Sequence, residues 1–469
     1  MSVTPFPDRV ETVRDFALTD SGNVDFFERK VDRRLSYDHT VKGWYEFNGH
    51  HWRVDSVQHV QELAVEAMRA RQHEAAQLAD KDTRKAALQW ALKSEDRRRI
   101  ADLLALAQSR PTIAVDGSEW DAAPMLFGVQ NGVLDLDRGV LRSGCTMDRI
   151  TKVSPVVYEP ERRAPRFERF LAEIFRSAPE IIPWFQRVLG YCLTGCTSEQ
   201  AFWIWWGSGG NGKSTLLSLL LHSIFGEGDA SYAWSMPFPT AHWSSSVTEY
   251  QRAELPGRRL VAASEVKRRA PLHEDFIKSL TGGDRVNARA PYGRPFNFTP
   301  ICKFLLLCNE RPIIRDLTTS MWRRVRLVPF VETFTVDDTL APMLAAEAPG
   351  VLNWLVQGCR EWQRDGLREA PAVVEAATQQ YREDSDPLLD FYAERCIILA
   401  GVSVGAAELF TSYRAWCDGR HLADEDRLPQ KSFNARVQER FADISVSERK
   451  VRYGGIGLAD TRPTKDNDR

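Results

Sequence analysis

The sequence predicts an α/β protein organised on a largely parallel sheet, with an α+β region before the sheet and a winged-helix-like region after it. Three observations carry this prediction. Trp205-Trp206-Gly207-Ser208-Gly209-Gly210-Asn211-Gly212-Lys213-Ser214-Thr215 holds the spacing G-x-x-x-x-G-K-[ST] between an apolar run and a helix-patterned one. Two more apolar runs follow, separated by helical text, which is the alternation of a parallel sheet. Toward the C-terminus, helix-patterned segments give way to short strand-like runs turned by glycines.

A chain of 469 residues is long enough for roughly two to four domains. Composition shifts divide it into an N-terminal α+β domain (1–160), the nucleotide core with its preceding helices (161–335), a helical segment (336–385), the winged-helix-like domain (386–462) and a disordered tail (463–469). Hydrophobic residues at 43% and charged residues at 27% fit an ordinary globular chain. A net charge of -2 excludes a global positive field, so any contact with nucleic acid has to come from local patches or from assembly. The first residues carry neither an apolar signal core nor a transit pattern, and no run approaches a membrane span; a cytoplasmic protein with no membrane partner is expected. The eight scattered cysteines have no His or Cys pair nearby to complete a tetrahedral set, so buried thiols are expected, without zinc or disulfides.

In chain order, residues 43–54 predict a hairpin, with Asn48-Gly49 supplying the positive φ of a tight type I′ turn and His50 and His51 flanking it. Residues 57–109 carry apolar positions every three or four, the helix period. Residues 127–136 read as β. Asp135-Leu136-Asp137 at their end predicts a turn, since a two-metal site would need a further carboxylate on a neighbouring strand. Residues 154–165 are loop-like and mark a boundary, and a helical segment over 166–194 leads into the core.

The run Phe202-Trp203-Ile204-Trp205-Trp206 suits a buried strand, and residues 214–225 suit the helix that follows it. Between them, glycines let the backbone curl so that its N–H groups and the helix N-terminus face phosphate. Gly207, Gly209, Gly210, Asn211, Gly212, Lys213, Ser214 and Thr215 are therefore the candidate nucleotide-binding residues, with Lys213 for the β- and γ-phosphates and Ser214 for Mg²⁺. Glu265, at the end of the apolar run over 259–265, offers a carboxylate able to order Mg²⁺ or to take a proton from attacking water. Asn309, at the end of the run over 303–309, can orient that water, or simply start the turn at Glu310-Arg311-Pro312. Arg323 and Arg324 open one more apolar run, near enough to the sheet to serve a neighbouring subunit's nucleotide; surface decoration is the plainer alternative.

The ordered set GSGGNGKST, LVAASE, KSLTGGDRVNARAPYGRPFNF, FLLLCNERP and WRRVRLVPF resembles the superfamily 3 helicases. Within them it is most similar to the C-terminal half of phage and plasmid primase-helicases and the related poxvirus primase-helicase. The text LTDSGNVDFFERK, RLSYDHTVKGWYEFNGHHWRVD and QNGVLDLDRG is similar to the domain that precedes the motor in that family. The resemblance implies an AAA+-like P-loop core, a collar-like N-terminal domain, and use of ATP and Mg²⁺. It also implies a homo-oligomeric ring, expected to be a hexamer, that moves on single-stranded or forked DNA with 3′ to 5′ polarity. Carried onto this sequence, it implies Lys213, Ser214 and Glu265 in the first two motifs, Asn309 as polar sensor, and Arg324 or Arg323 as a finger given in trans.

The same resemblance implies a hairpin after Lys278-Ser279-Leu280-Thr281-Gly282-Gly283-Asp284, its tip Ala290-Pro291-Tyr292-Gly293-Arg294 projecting into the channel of the ring. There Tyr292 would stack on a base and Arg294 would meet a phosphate, with Arg289 and Lys278 contacting DNA, nucleotide or the neighbouring subunit. Two features depart from the family. Many members carry two adjacent acids in the second motif, whereas here Ser264 precedes a single Glu265, so its role stays open between ordering Mg²⁺ and acting as base. The region before the motor has no room for a primase domain, so a separate primase or polymerase is the expected partner. The competing reading is a nucleotide-switched origin-binding or loading module without unwinding, with residues 433–440 as its recognition helix and 449–453 as part of a wing. A packaging motor fits the phosphate loop but not the order of the motifs.

Overall fold

Helix-period apolar residues gather the N-terminal part around a buried cluster that includes Val24, Phe27, Met68 and Leu103. A computed structural model describes residues 12–242, 244–264, 270–291, 293–335, 337–422, 424, 427–441, 443–447 and 450–459; Glu265, Tyr292, Arg449 and the tail expected to be disordered lie outside them. The N-terminal elements are α1 (Asp20–Val31), β1 (Leu35–Asp38), β2 (Gly43–Phe47), β3 (Trp52–Val54), α2 (His59–Ala76), α3 (Lys81–Ser94), α4 (Arg97–Ala107) and the short β4 (Ala114–Val115). Thr19 and Asp80 cap α1 and α3 by accepting the amides of Gly22 and Thr83. The sheet runs β3-β2-β1-β4.

The hairpin of β2 and β3 forms as expected, but on a longer turn. Phe47 pairs with Trp52, and the Asn48 side chain accepts the amides of His50 at 3.0 Å and His51 at 2.9 Å. That local acceptor stabilises an open Asx-type turn, so the tight two-residue turn is not used. β5 (Leu126–Val129), β6 (Gly132–Asp135) and β7 (Val140–Arg142) form an antiparallel meander. In the turn after β6, Asp135 Oδ1 accepts the Arg138 amide at 3.2 Å, as expected of a turn residue.

α5 (Pro165–Ile174) and α6 (Ile181–Cys192) lead into the core. This comprises β8 (Phe202–Trp206), α7 (Lys213–Ser218) with a π-helical continuation (Leu219–Phe225), β9 (Ala233–Pro237), α8 (Ser245–Ala253), β10 (Leu260–Ser264) and α9 (Glu274–Thr281). The hairpin of β11 (Val286–Arg289) and β12 (Pro295–Phe298) follows, then β13 (Lys303–Cys308), α10 (Thr319–Trp322) and β14 (Val325–Pro329). The sheet order is β14-β8-β13-β10-β9, with every pairing parallel. Every residue of β13 is buried, which is why this strand reads as uninterrupted apolar text. α11 (Leu340–Ala346) and α12 (Ala348–Asp365) complete the layer, with Val351, Leu355 and Cys359 joining the same cluster as Trp184, Leu189 and Trp205. The fold is α/β on a parallel sheet, as the strand–helix alternation predicts. Among the described residues, no helix is long and apolar enough to cross a membrane.

Two cations are buried at the amino ends of neighbouring strands. Arg259, before β10, donates to the carbonyls of Pro124, Ala123 and Leu126. Lys303, opening β13, donates to the Thr194 carbonyl and to Ile301 O at 3.2 Å. Burial, reinforced by Arg259, pushes the Lys303 pKa down to about 7. The folded lysine therefore gives up its proton near pH 7, while the unfolded one keeps it to its ordinary value. Between those limits the unfolded state binds more protons, so the stability of the fold rises with pH. Relative to Lys303→Met, the wild-type chain is expected to gain about 1 kcal/mol per pH unit between pH 7 and 9. Urea unfolding at both pH values checks this, and a constant difference would contradict it.

Residues 379–469 form a second compact unit, separate from 1–378. α13 (Ala372–Asp384) runs into it, followed by α14 (Leu389–Arg395), β15 (Cys396–Gly405), α15 (Ala406–Gly419), α16 (Gln430–Arg440), β16 (Ile444–Ser447) and β17 (Lys450–Leu458). Its core gathers Phe391, Tyr413, Trp416, Phe433 and Tyr453, and its antiparallel sheet runs β15-β17-β16. β15 carries no sequence signal, because Ile397, Ile398 and Leu399 are all exposed and burial does not alternate along it.

Candidate functional site

β8 lies between β14 and β13, where the strand order turns back on itself, so its carboxyl end opens into the crevice that open α/β sheets use for ligands. The loop leaving it places Gly209, Gly210 and Gly212 at φ of 53°, 67° and 83°, the left-handed region that glycine enters without steric cost. Lys213 then begins α7 with its side chain buried. Its Nζ donates to Gly207 O at 2.7 Å and Asn211 Oδ1 at 2.9 Å, and stands 3.5 Å from Asn309 Oδ1. Burial holds the Lys213 pKa below the ordinary lysine value. Three stretches read separately from the sequence thus converge on one ammonium: the strand end, the loop and Asn309 after β13.

The donors present fit a magnesium nucleotide. The loop at Ser208, Gly209 and Gly210 is exposed, as is Ser214 in the first helical turn, while Thr215 is half-buried. The loop and the first turn of α7 are therefore open to solvent beside the buried lysine. β10 ends at Ser264, two strands away from β8 in the same parallel sheet, and Glu265, the next residue, lies outside the described residues.

A strap after β14, with no sequence signal, closes the loop from one side. Asn211 Nδ2 donates to Phe330 O at 3.1 Å, and Phe334 N donates to Gly210 O at 2.7 Å. A Cβ at Gly207 would stand 2.1 Å from Phe330 O, so only glycine lets the strap and loop approach this closely. Glu332 pins the strap in turn, accepting from Arg176 at 2.6 Å and from the Ser177 amide at 3.0 Å. Arg311 was also absent from the expected set; its guanidinium lies 5.2 Å from the ring centroid of Trp206, at the same end of the sheet.

Arg323 and Arg324 sit at the opposite end of the sheet, where β14 begins. Because β14 runs parallel to β8, about 13 Å of strand separates them from their own phosphate loop. The two arginines differ sharply. Arg324 is buried, donating to Thr281 Oγ1 at 3.2 Å and to Ser320 O. Arg323 is exposed and donates to Gln200 Oε1 at 3.0 Å.

The β11–β12 hairpin pairs Val286 with Phe298 and Arg289 with Pro295. Arg289 and Arg294 are exposed on it, and Arg289 Nε donates back to Gly293 O at 3.2 Å. Tyr292, expected at the tip, lies outside the described residues. Lys278 sits a short way before the hairpin, on α9, half-buried in an ion pair with Asp316.

Residues 24–176 match the family described as D5 N terminal like, and residues 205–324 match a family of unknown function (DUF5906). The chain is 28% identical over 416 residues to the "Putative helicase L207/L206" of Acanthamoeba polyphaga mimivirus, an alignment covering 80% of this chain and 43% of that protein. It is 24% identical over 401 residues to the "Putative helicase 022R" of Frog virus 3, covering 67% of this chain and 41% of that one. The chain thus spans less than half the length of either viral relative. Among solved structures, the A form of the apo NrS-1 C-terminal region aligns over 92% of this chain and 99% of that one, at 12% identity and a TM-score of 0.49. The N-terminal match and the viral relatives together support a likeness to the D5-like superfamily 3 helicases of phages and viruses.

Proposed function

We propose that the chain is an ATP-hydrolysing, ring-forming motor that unwinds DNA during replication of a phage, plasmid or other mobile element. The observation that carries this is the meeting of Lys213, Asn211 and Asn309 at one end of a parallel sheet whose other end bears Arg323 and Arg324. One copy therefore offers half of a phosphoryl-transfer site, and its exposed Arg323 is the arginine available to a neighbour. Heterologous contacts of that kind close into a ring, a hexamer in this reading.

Within the site, Lys213 and the amides of the loop hold the phosphates, and Asn309 aligns the attacking water. Ser214 and Glu265 are the residues that would hold Mg²⁺, which offsets the charge gathered on the phosphates; Glu265 is also the candidate acceptor of the water's proton. Residues 161–335 form the AAA+-like P-loop core, 1–160 the collar-like domain, 336–385 the helical connection and 386–462 the winged-helix-like domain. Arg289, Arg294 and Tyr292 face single-stranded DNA, along which the ring moves 3′ to 5′. A separate primase or polymerase supplies the primer, and the protein works in the cytoplasm.

With ATP, Mg²⁺ and a forked duplex carrying a labelled strand, the chain is expected to displace that strand. DNA binding and ATP-driven assembly without displacement would instead favour the loading module.

A further inference from the structure

α9 is the root of the hairpin: it ends at Thr281, and a glycine pair connects it to β11. Arg252 of α8 reaches Ser279 on it, but from its first turn to its last it is fastened to one segment, Asn309 to Arg324. At its first turn the Glu274 carboxylate accepts the amides of Arg315 and of Asp316, the latter at 2.8 Å. One turn later Lys278 pairs with Asp316 Oδ2, while Asp316 Oδ1 accepts the Thr318 amide at 2.8 Å. At the last turn Thr281 Oγ1 accepts Arg324 Nε, with both residues buried. The approach to α9 is held as well, since Leu272 N donates to Ile313 O at 2.9 Å and Ile313 N to Ala270 O at 3.0 Å.

Positions 274, 278 and 281 share one face of the helix by their spacing. A partly exposed ion pair such as Lys278–Asp316 contributes little net stability, so its effect lies in fixing where the helix sits. The segment that does the fastening is tied to the nucleotide loop at both ends. It starts at Asn309, 3.5 Å from Lys213 Nζ, and it ends in β14, whose far side is strapped to the loop through Phe330 and Phe334. A shift at the phosphate loop therefore has a continuous, packed route to the base of the hairpin.

We propose that this row is a coupling clamp, in which Glu274, Asp316 and Thr281 are positioning residues that make the hairpin follow the nucleotide site. The proposal rests on the reading of the hairpin as the DNA-contacting element. It also assigns the adjacent arginines different work: Arg324 joins α9 to the turn between α10 and β14, and Arg323 is the residue displayed to the neighbour.

The test compares the full 469-residue chain with Asp316→Asn, which removes the ion pair but keeps an acceptor for Thr318, and with Thr281→Val, which keeps the shape but not the hydroxyl. ATP hydrolysis is measured with and without single-stranded oligothymidylate, and binding of the same oligonucleotide by fluorescence anisotropy. Basal hydrolysis and DNA affinity are expected to stay within about twofold of wild type, while stimulation by DNA falls about fivefold or more. Undiminished stimulation in either folded variant overturns the clamp while leaving the motor reading intact. A parallel loss of DNA affinity also overturns it, by making these residues part of the binding surface. If the wild-type chain shows no stimulation by DNA, the clamp falls together with the motor reading. The two substitutions differ in burial, so failure of one to fold leaves the other to decide.

Discussion

Lys213→Ala is expected to cut ATP hydrolysis by about a hundred- to a thousandfold, the effect of removing a pre-aimed charge donor from a phosphoryl-transfer site. The ammonium is already buried and held in place by Gly207 O and Asn211 Oδ1. Its desolvation is therefore largely complete before nucleotide arrives, and it can exchange these neutral acceptors for phosphate oxygens with little rearrangement. Folding should survive, because alanine is the best helix former and position 213 is the first residue of α7. Phosphate release at saturating ATP reads the effect, and urea unfolding of the same preparation separates it from loss of structure. Wild-type hydrolysis in the folded variant would remove Lys213 from the chemistry and the motor reading with it.

The parts of this arrangement that could be read in advance are those built from local text. β8, β10 and β13 were legible because strands buried on both faces become continuous apolar runs, and the glycine pattern after β8 is tied to the φ angles the loop requires. The strap over the loop was not legible, since its contacts run through the backbone of Phe330, Phe334 and Gly210, which any side chain could supply. The clamp on α9 joins residues 38 and 43 positions apart, with no motif to announce the pairing. Arg323 and Arg324 were interchangeable as sequence; a single residue step at the end of a short helix turns one inward onto Thr281 and leaves the other exposed. The hairpin turn at Asn48 shows the same limit on a smaller scale, because a side-chain acceptor chose a longer turn than the Asn-Gly pair alone predicts.

Arg323→Ala is expected to lower hydrolysis by about a thousandfold or more while nucleotide still binds, as loss of a transition-state arginine does when ground-state contacts are intact. The geometry makes a stronger demand than this loss alone. Arg323 lies across the sheet from the loop of its own copy, so under the proposed ring its effect is expected on a neighbour. A chain bearing Lys213→Ala has a damaged loop and an intact arginine, and a chain bearing Arg323→Ala has the reverse. Mixed in equal amounts before ATP is added, they should form rings in which roughly a quarter of the interfaces join an intact loop to an intact arginine, if neighbours assort at random in a head-to-tail ring. Hydrolysis should then reappear in the mixture, although neither variant hydrolyses ATP appreciably by itself. An arginine serving its own loop would leave the mixture as inactive as its parts, because each subunit would carry one lesion in the only site it could complete.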